Sequence, residues 1–229
     1  MSIRTRMLSI RTRIHVSQRT QVGVVRVLQV LLVAILGFGL YSGNVVIAFD
    51  AAIGLFVTQL PALLERRYRI VMDVWLVIWI TMAVFLHALG TVPLPGLDFE
   101  SLYGATWWWD HLTHALSSSI VVASGYAVTR AVQEHTDHIH LGPKFMFAYL
   151  LIFVLAFGVI WELIEFYIAV GADLFGIPKV LTQYGLDDTV LDLMYNSIGG
   201  ILVAVFGTTY LTGISDQLGD RLRSRSADR

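Results

Sequence analysis

Long apolar runs, separated by short polar or Arg-bearing segments, make up most of the chain. A helix needs about 20 apolar residues to cross the ~30 Å hydrocarbon core of a bilayer. A window of that size predicts six spans near 24–42, 45–64, 70–90, 107–129, 145–169 and 187–212. The second carries Asp50 and Pro61, with Pro61 close to its end, where a break does little harm. The expected fold is all-α: a polytopic membrane bundle of six helices over 24–212. A basic N-terminal tail (1–23) and a C-terminal tail (213–229) flank it.

Composition agrees with that pattern. The 229 residues are 56% hydrophobic and 14% charged, with mean hydropathy +0.68. A soluble domain would carry roughly 25% charged residues. One bundle uses the whole chain and leaves no room for a sizeable soluble domain. A net charge of −1 gives no general nucleic-acid signal. Cysteine is absent, which removes disulfides, thiolate metal sites and Cys nucleophiles.

Charge also orients the bundle. The first 23 residues hold the near-duplicate segments Ser2-Ile3-Arg4-Thr5-Arg6 and Ser9-Ile10-Arg11-Thr12-Arg13. The apolar run behind them is too long for a signal-peptide core and lacks a small-residue cleavage site, so an uncleaved cytoplasmic tail is expected, disordered in preference to lying on anionic lipid as an amphipathic segment. With the N-terminus inside, that tail, the segments around Arg66–Arg69 and Arg130–Lys144, and the Arg-bearing C-terminus are all cytoplasmic. Lys179 is then the one basic residue outside. The positive-inside rule therefore assigns N-in, C-in. The run Trp107-Trp108-Trp109 is expected at the outer interface, where indole rings prefer the headgroup level.

Depth turns scattered polar residues into a candidate site. Asp110 and His114 are four apart, Glu162 and Glu165 three apart, and Asp188, Asp192 and Asn196 follow at intervals of four. Each spacing puts its members on one helix face. At 1.5 Å per residue, these groups, with Asp50 and His87, fall within roughly 15 Å of the outer boundary. On the inner side only Asp73 sits at comparable depth. Ionisable groups in a membrane are costly unless they pair, bind an ion or face water.

Carboxylates with one or two imidazoles and no thiol suit a divalent metal ion: Mg²⁺, Mn²⁺, Fe²⁺ or Zn²⁺. The expected ligands are Asp110, His114, Glu162, Glu165, Asp188 and Asp192, with Asn196 ligating or orienting a carboxylate. His111, 100° around the helix from Asp110, is a weaker candidate. One ion or two would fit. Taken pair by pair, Asp–His and Asp–Asn contacts can simply lock helices together. Taken together, five carboxylates in one layer repel without a cation or several protons. The protonated alternative is the basis of an ion- or proton-coupled transporter.

Other signals read more simply. Asp187 is expected to cap the helix before Thr189. His135, His138 and His140, with Glu134 and Asp137, form a solvated inner loop rather than a metal site. Asp50 and His87 are supporting or interfacial residues, and Ser117 to Ser119 pack between helices. Lys144 and Lys179 lie near loops, so no embedded lysine exists for a retinal Schiff base.

Asp110-x3-His114, Trp161-Glu162-x2-Glu165, Thr182-Gln183, Asp188-Thr189, Asp192 and Asn196-x2-Gly199 resemble the YjdF-type bacterial inner-membrane proteins. The resemblance runs from Trp107 to Gly200, and the first three spans match only in hydropathy. It is looser towards VanZ-like membrane proteins, which share an Asp-x3-His, an acidic helix and Asp-x3-Asn-x2-Gly in that order. This chain has Tyr184-Gly185-Leu186-Asp187 where the YjdF type carries Gly-Asp-Pro-Trp. The resemblance implies a multi-pass protein of a prokaryotic plasma membrane with a polar outer-leaflet site.

These readings converge on a metal site between the fourth, fifth and sixth spans, acting on a lipid or isoprenoid headgroup. Asp110, His114, Asp188 and Asp192 would bind metal, Glu162 or Glu165 would be the general base, and Gln183 would touch the headgroup. A transporter and a structural or accessory membrane protein are the alternatives. The implied partners are membrane lipids.

Overall fold

The computed structural model describes residues 18–94, 100–136, 141–181 and 185–206, apart from the side chains of Gln18, Glu134, His135 and Phe206. The described chain forms α1 (Gln18–Ser42), α2 (Val45–Tyr68), α3 (Val74–Gly90), the short α4 (Leu102–Ala105), α5 (Trp109–His135), α6 (Pro143–Phe175) and α7 (Leu186–Phe206). No strand occurs among the described residues, only an antiparallel bridge between Pro93 and Ser101. The fold is a polytopic membrane helical bundle.

Five of the described helices are long and apolar enough to cross a membrane, and α3 is a shorter apolar helix of 17 residues. The sequence pattern starts that third segment at residue 70. Arg69 instead ends α2 in a left-handed conformation (φ 50°), and the chain stays non-helical to Asp73. Asp73 then caps α3, its Oδ1 accepting from Trp75 N at 2.9 Å. α2 continues through Pro61 to Tyr68, so the proline is internal and does not end the helix. α1 already includes Gln18–Val22, inside the segment assigned to the basic tail, while residues 1–17 and 207–229 lie outside the described residues. α6 has 33 residues. That is a length of about 50 Å, well beyond a hydrocarbon core.

The helices form two groups of three. α1, α2 and α3 pack on one another, as do α5, α6 and α7, and α3 meets α5 between the groups. Leu32, Ala51 and Ala88 centre the first group, and Val122, Met146, Leu150 and Val154 centre the second. Around them Val30, Leu40, Phe56, Ile152, Leu163 and Val205 are exposed, as lipid-facing positions should be. The most extensive packing is between α5 and α7. Gly199 permits it: a Cβ there would lie 2.1 Å from Ala115 O and 2.5 Å from Ser118 Oγ. Small residues let membrane helices approach in this way, and the approach sets α5 and α7 side by side at the polar layer.

Candidate metal centre

α5 and α7 both begin at the polar layer, with Asp110 in the first turn of one and Asp187 and Asp188 in the first turn of the other. The partial positive charge of a helix N-terminus favours carboxylates there. α7 starts at Leu186, so Asp187 is a first-turn residue and not the expected cap. One to two turns beyond Gly158, α6 brings Glu162 and Glu165 alongside. A Cβ at Gly158 would meet Leu193 and Asn196 of α7 at 2.7 and 2.9 Å, so glycine keeps α6 close.

Asp192 lies at the centre and is 1% exposed. Its Oδ1 is 3.4 Å from His111 Nδ1 and its Oδ2 is 3.8 Å from His114 Nε2. His114 Nε2 is also 3.6 Å from Asp110 Oδ1. Two groups of ligand atoms result, Asp110 with His111 and Asp192, and His114 with Glu162 and Asp192, each within 4.8 Å. Glu162 is buried; its Oε2 accepts from Thr189 Oγ1 at 2.7 Å, while its Oε1 meets no donor among the described residues.

The remaining expected ligands surround these groups. Glu165 is buried next to them, its Oε1 accepting from Trp161 Nε1 at 2.9 Å, and belongs to neither group. Asp188, one turn before Asp192, is half-buried, and its charge acts on Asp110, His114 and Asp192. Asn196 is buried, and its side chain acts on His114. Thr182, Gln183, Asp137, His138 and His140 lie outside the described residues.

Sequence spacing undervalued His111, which is buried and inside one of the groups. It is three residues before His114, so the two imidazoles share a face; that interval was the available signal. The His111 ring stacks on Tyr195 with centroids 4.5 Å apart and planes at 3°.

Tyr103, for which the sequence carries no signal, sits on α4 and connects the two helix groups. Its hydroxyl is 2.8 Å from His87 Nδ1 and donates to Thr113 Oγ1 at 3.3 Å. His87 Nε2 in turn lies 3.1 Å from Ser117 Oγ. His87 is therefore a bridging residue. Asp50 is outside both ligand groups, half-buried, and its charge reaches Tyr103. Burial pushes the Tyr103 hydroxyl well above the usual tyrosine range; its bond to Thr113 acts the other way, and Asp110, Asp50 and Glu165 push it up. Of the tryptophan run, Trp107 and Trp108 are exposed, but Trp109 is buried against Gly90.

Residues 24–213 match the family model described as "Predicted membrane protein (DUF2238)". The chain belongs to the DUF2238 family. The DUF2238 match takes in most of α1 and all of α2 and α3, which only hydropathy ties to the YjdF type, as well as every residue of the centre. An "Uncharacterized protein" of Thermotoga maritima is 28% identical over 120 residues, 52% of this chain. The match spans 55% of that relative, about half its length. No solved structure matches.

Proposed function

We propose that this DUF2238 protein binds a divalent cation (Mg²⁺, Mn²⁺, Fe²⁺ or Zn²⁺) in its buried His–carboxylate cluster. It uses the cation for chemistry on the polar headgroup of a membrane lipid or isoprenoid. Glu162 carries this reading: one carboxylate oxygen is held by Thr189, and the other is buried beside His114 and Asp192 without a donor among the described residues. A buried carboxylate oxygen left in that state is costly. A cation shared with His114 and Asp192 would offset the cost.

A bound divalent cation polarises a phosphoryl or carbonyl oxygen, or makes water acidic enough to attack near neutral pH. Glu165, beside the cluster and oriented by Trp161, serves as general base in this reading. Asp110 and Asp188 add negative charge at the helix ends, and Asn196 acts on His114. The positive-inside assignment turns the cluster to the extracytoplasmic face of a prokaryotic plasma membrane, level with outer-leaflet headgroups. The VanZ-like likeness rests on motif order alone and adds no reaction.

Transport is the second reading and needs a polar path to the inner face. Val122, Leu150 and Val154 pack together on the inner side of the cluster, which favours chemistry at one face over passage. An accessory protein would need no cation. The test is mass spectrometry of a bacterial lipid extract after incubation with purified protein and each of the metals. A headgroup-altered product with wild type, absent with Asp192→Asn, is expected. Unchanged lipids under every metal would remove the catalytic reading.

A further inference from the structure

Asp192 offers its two carboxylate oxygens to different histidines: Oδ1 faces His111 Nδ1 at 3.4 Å, and Oδ2 faces His114 Nε2 at 3.8 Å. Each histidine has a second carboxylate in its own ligand group, Asp110 with His111 and Glu162 with His114. Resting on the cation-binding reading above, we propose that the site is a two-cation centre bridged by Asp192. The ligand it takes is a phosphate or diphosphate ester.

Three independent features point this way. First, His111 is held in plane by its stack on Tyr195, 4.5 Å away at 3°. That ring faces Oδ1 of Asp192 while His114 faces Oδ2, so the two histidines address different oxygens. Second, each group supplies three ligands, an imidazole and two carboxylates. Three protein ligands leave coordination positions open for water or a ligand oxygen. Third, charge favours two ions. Asp110, Glu162, Glu165, Asp188 and Asp192 bring five carboxylates to the cluster. With all five ionised, one divalent cation leaves most of that charge uncompensated, whereas two nearly balance it.

A carboxylate bridge spaces two ions by about 3.5–4 Å, the separation at which paired metals clamp the oxygens of a phosphoryl group. That spacing fits the phosphoryl class within the broader headgroup chemistry above.

The experiment uses the full-length protein in detergent with Mn²⁺ alone. Bound Mn²⁺ is counted by equilibrium dialysis, and electron paramagnetic resonance reports whether the ions are coupled. Two Mn²⁺ per chain with an exchange-coupled spectrum are expected, falling to one uncoupled ion in His111→Ala and in Glu162→Gln. Pyrophosphate should tighten Mn²⁺ binding in wild type by at least tenfold and do so less in either variant. Glu162→Gln keeps an acceptor for Thr189, so it reports even if His111→Ala fails to fold. A single uncoupled Mn²⁺ in wild type would overturn the bridge and leave the one-cation reading standing. No bound Mn²⁺ in folded wild type would overturn both.

Discussion

Thr189 donates its hydroxyl hydrogen to Glu162 Oε2 at 2.7 Å, tying the first turn of α7 to α6 at the edge of the cluster. The bond fixes which oxygen of Glu162 remains for a cation. Thr189→Val keeps the shape and removes the donor. Mn²⁺ affinity should fall 10- to 100-fold, the usual cost of losing a residue that orients a ligand. Metal-free stability should drop by about 1–3 kcal/mol, because both Glu162 oxygens then lack this donor. A Mn²⁺ titration checks the first number and thermal unfolding the second; unchanged affinity would show that the bond does not orient the carboxylate.

Glu162→Gln should change stability with opposite signs in two conditions. Without a cation it removes a buried negative charge from a crowded layer, so the melting temperature should rise. With saturating Mn²⁺ the variant should melt below wild type, since a cation at 100 times its Kd stabilises by about 2.7 kcal/mol. Thermal scans of both proteins in chelator and in Mn²⁺ test this. A variant that is more stable in both conditions would deny Glu162 a ligand role.

Gly199→Ala should damage both fold and site. The new methyl would sit 2.1 Å from Ala115 O, so α5 and α7 must part, at a typical overpacking cost of about 1–3 kcal/mol. The same movement draws Asp192 away from His111 and His114, and Mn²⁺ binding should weaken at least tenfold. Gly37→Ala on α1 meets nothing within 4 Å and serves as the control, with binding unchanged. Equal binding in the two variants would mean that helix approach does not set the site.

Tyr103 gives a pH-dependent prediction. Burial raises its hydroxyl above the ordinary tyrosine value, so the folded protein holds that proton more tightly than the unfolded chain. The associated stability is fully present below pH about 10 and is lost as pH rises beyond it. Tyr103→Phe removes this slope and costs about 1 kcal/mol at neutral pH, where the contacts with His87 and Thr113 disappear. Unfolding midpoints of both proteins between pH 7 and 11 check this. Parallel curves would count against a buried, neutral Tyr103.

Apolar run length made the bundle legible in the sequence, because lipid forces a helix wherever the chain crosses. Helix ends were less legible. The left-handed Arg69 and the cap at Asp73 delayed α3 by four residues relative to its apolar run, and α2 passed through Pro61. Within the site, spacing identified faces but not partners. Asp192, Asp110 and His114 emerged from intervals of four and do converge. His111 shares its face with His114, three residues on, and not with Asp110, so the four-residue spacing passes over it. Tyr103 was invisible, since its role depends on α4 folding back between α3 and α5, a long-range contact that leaves no local pattern.

The central claim, that Asp192 and its neighbours hold divalent cations, is tested most directly by anomalous diffraction from crystals grown with Mn²⁺ and measured at the manganese edge. The account predicts anomalous density on both sides of the Asp192 carboxylate, one peak against Asp110 and His111 and the other against His114 and Glu162. An ordered cluster with no anomalous density, its histidines hydrogen-bonded directly to Asp192, would contradict it.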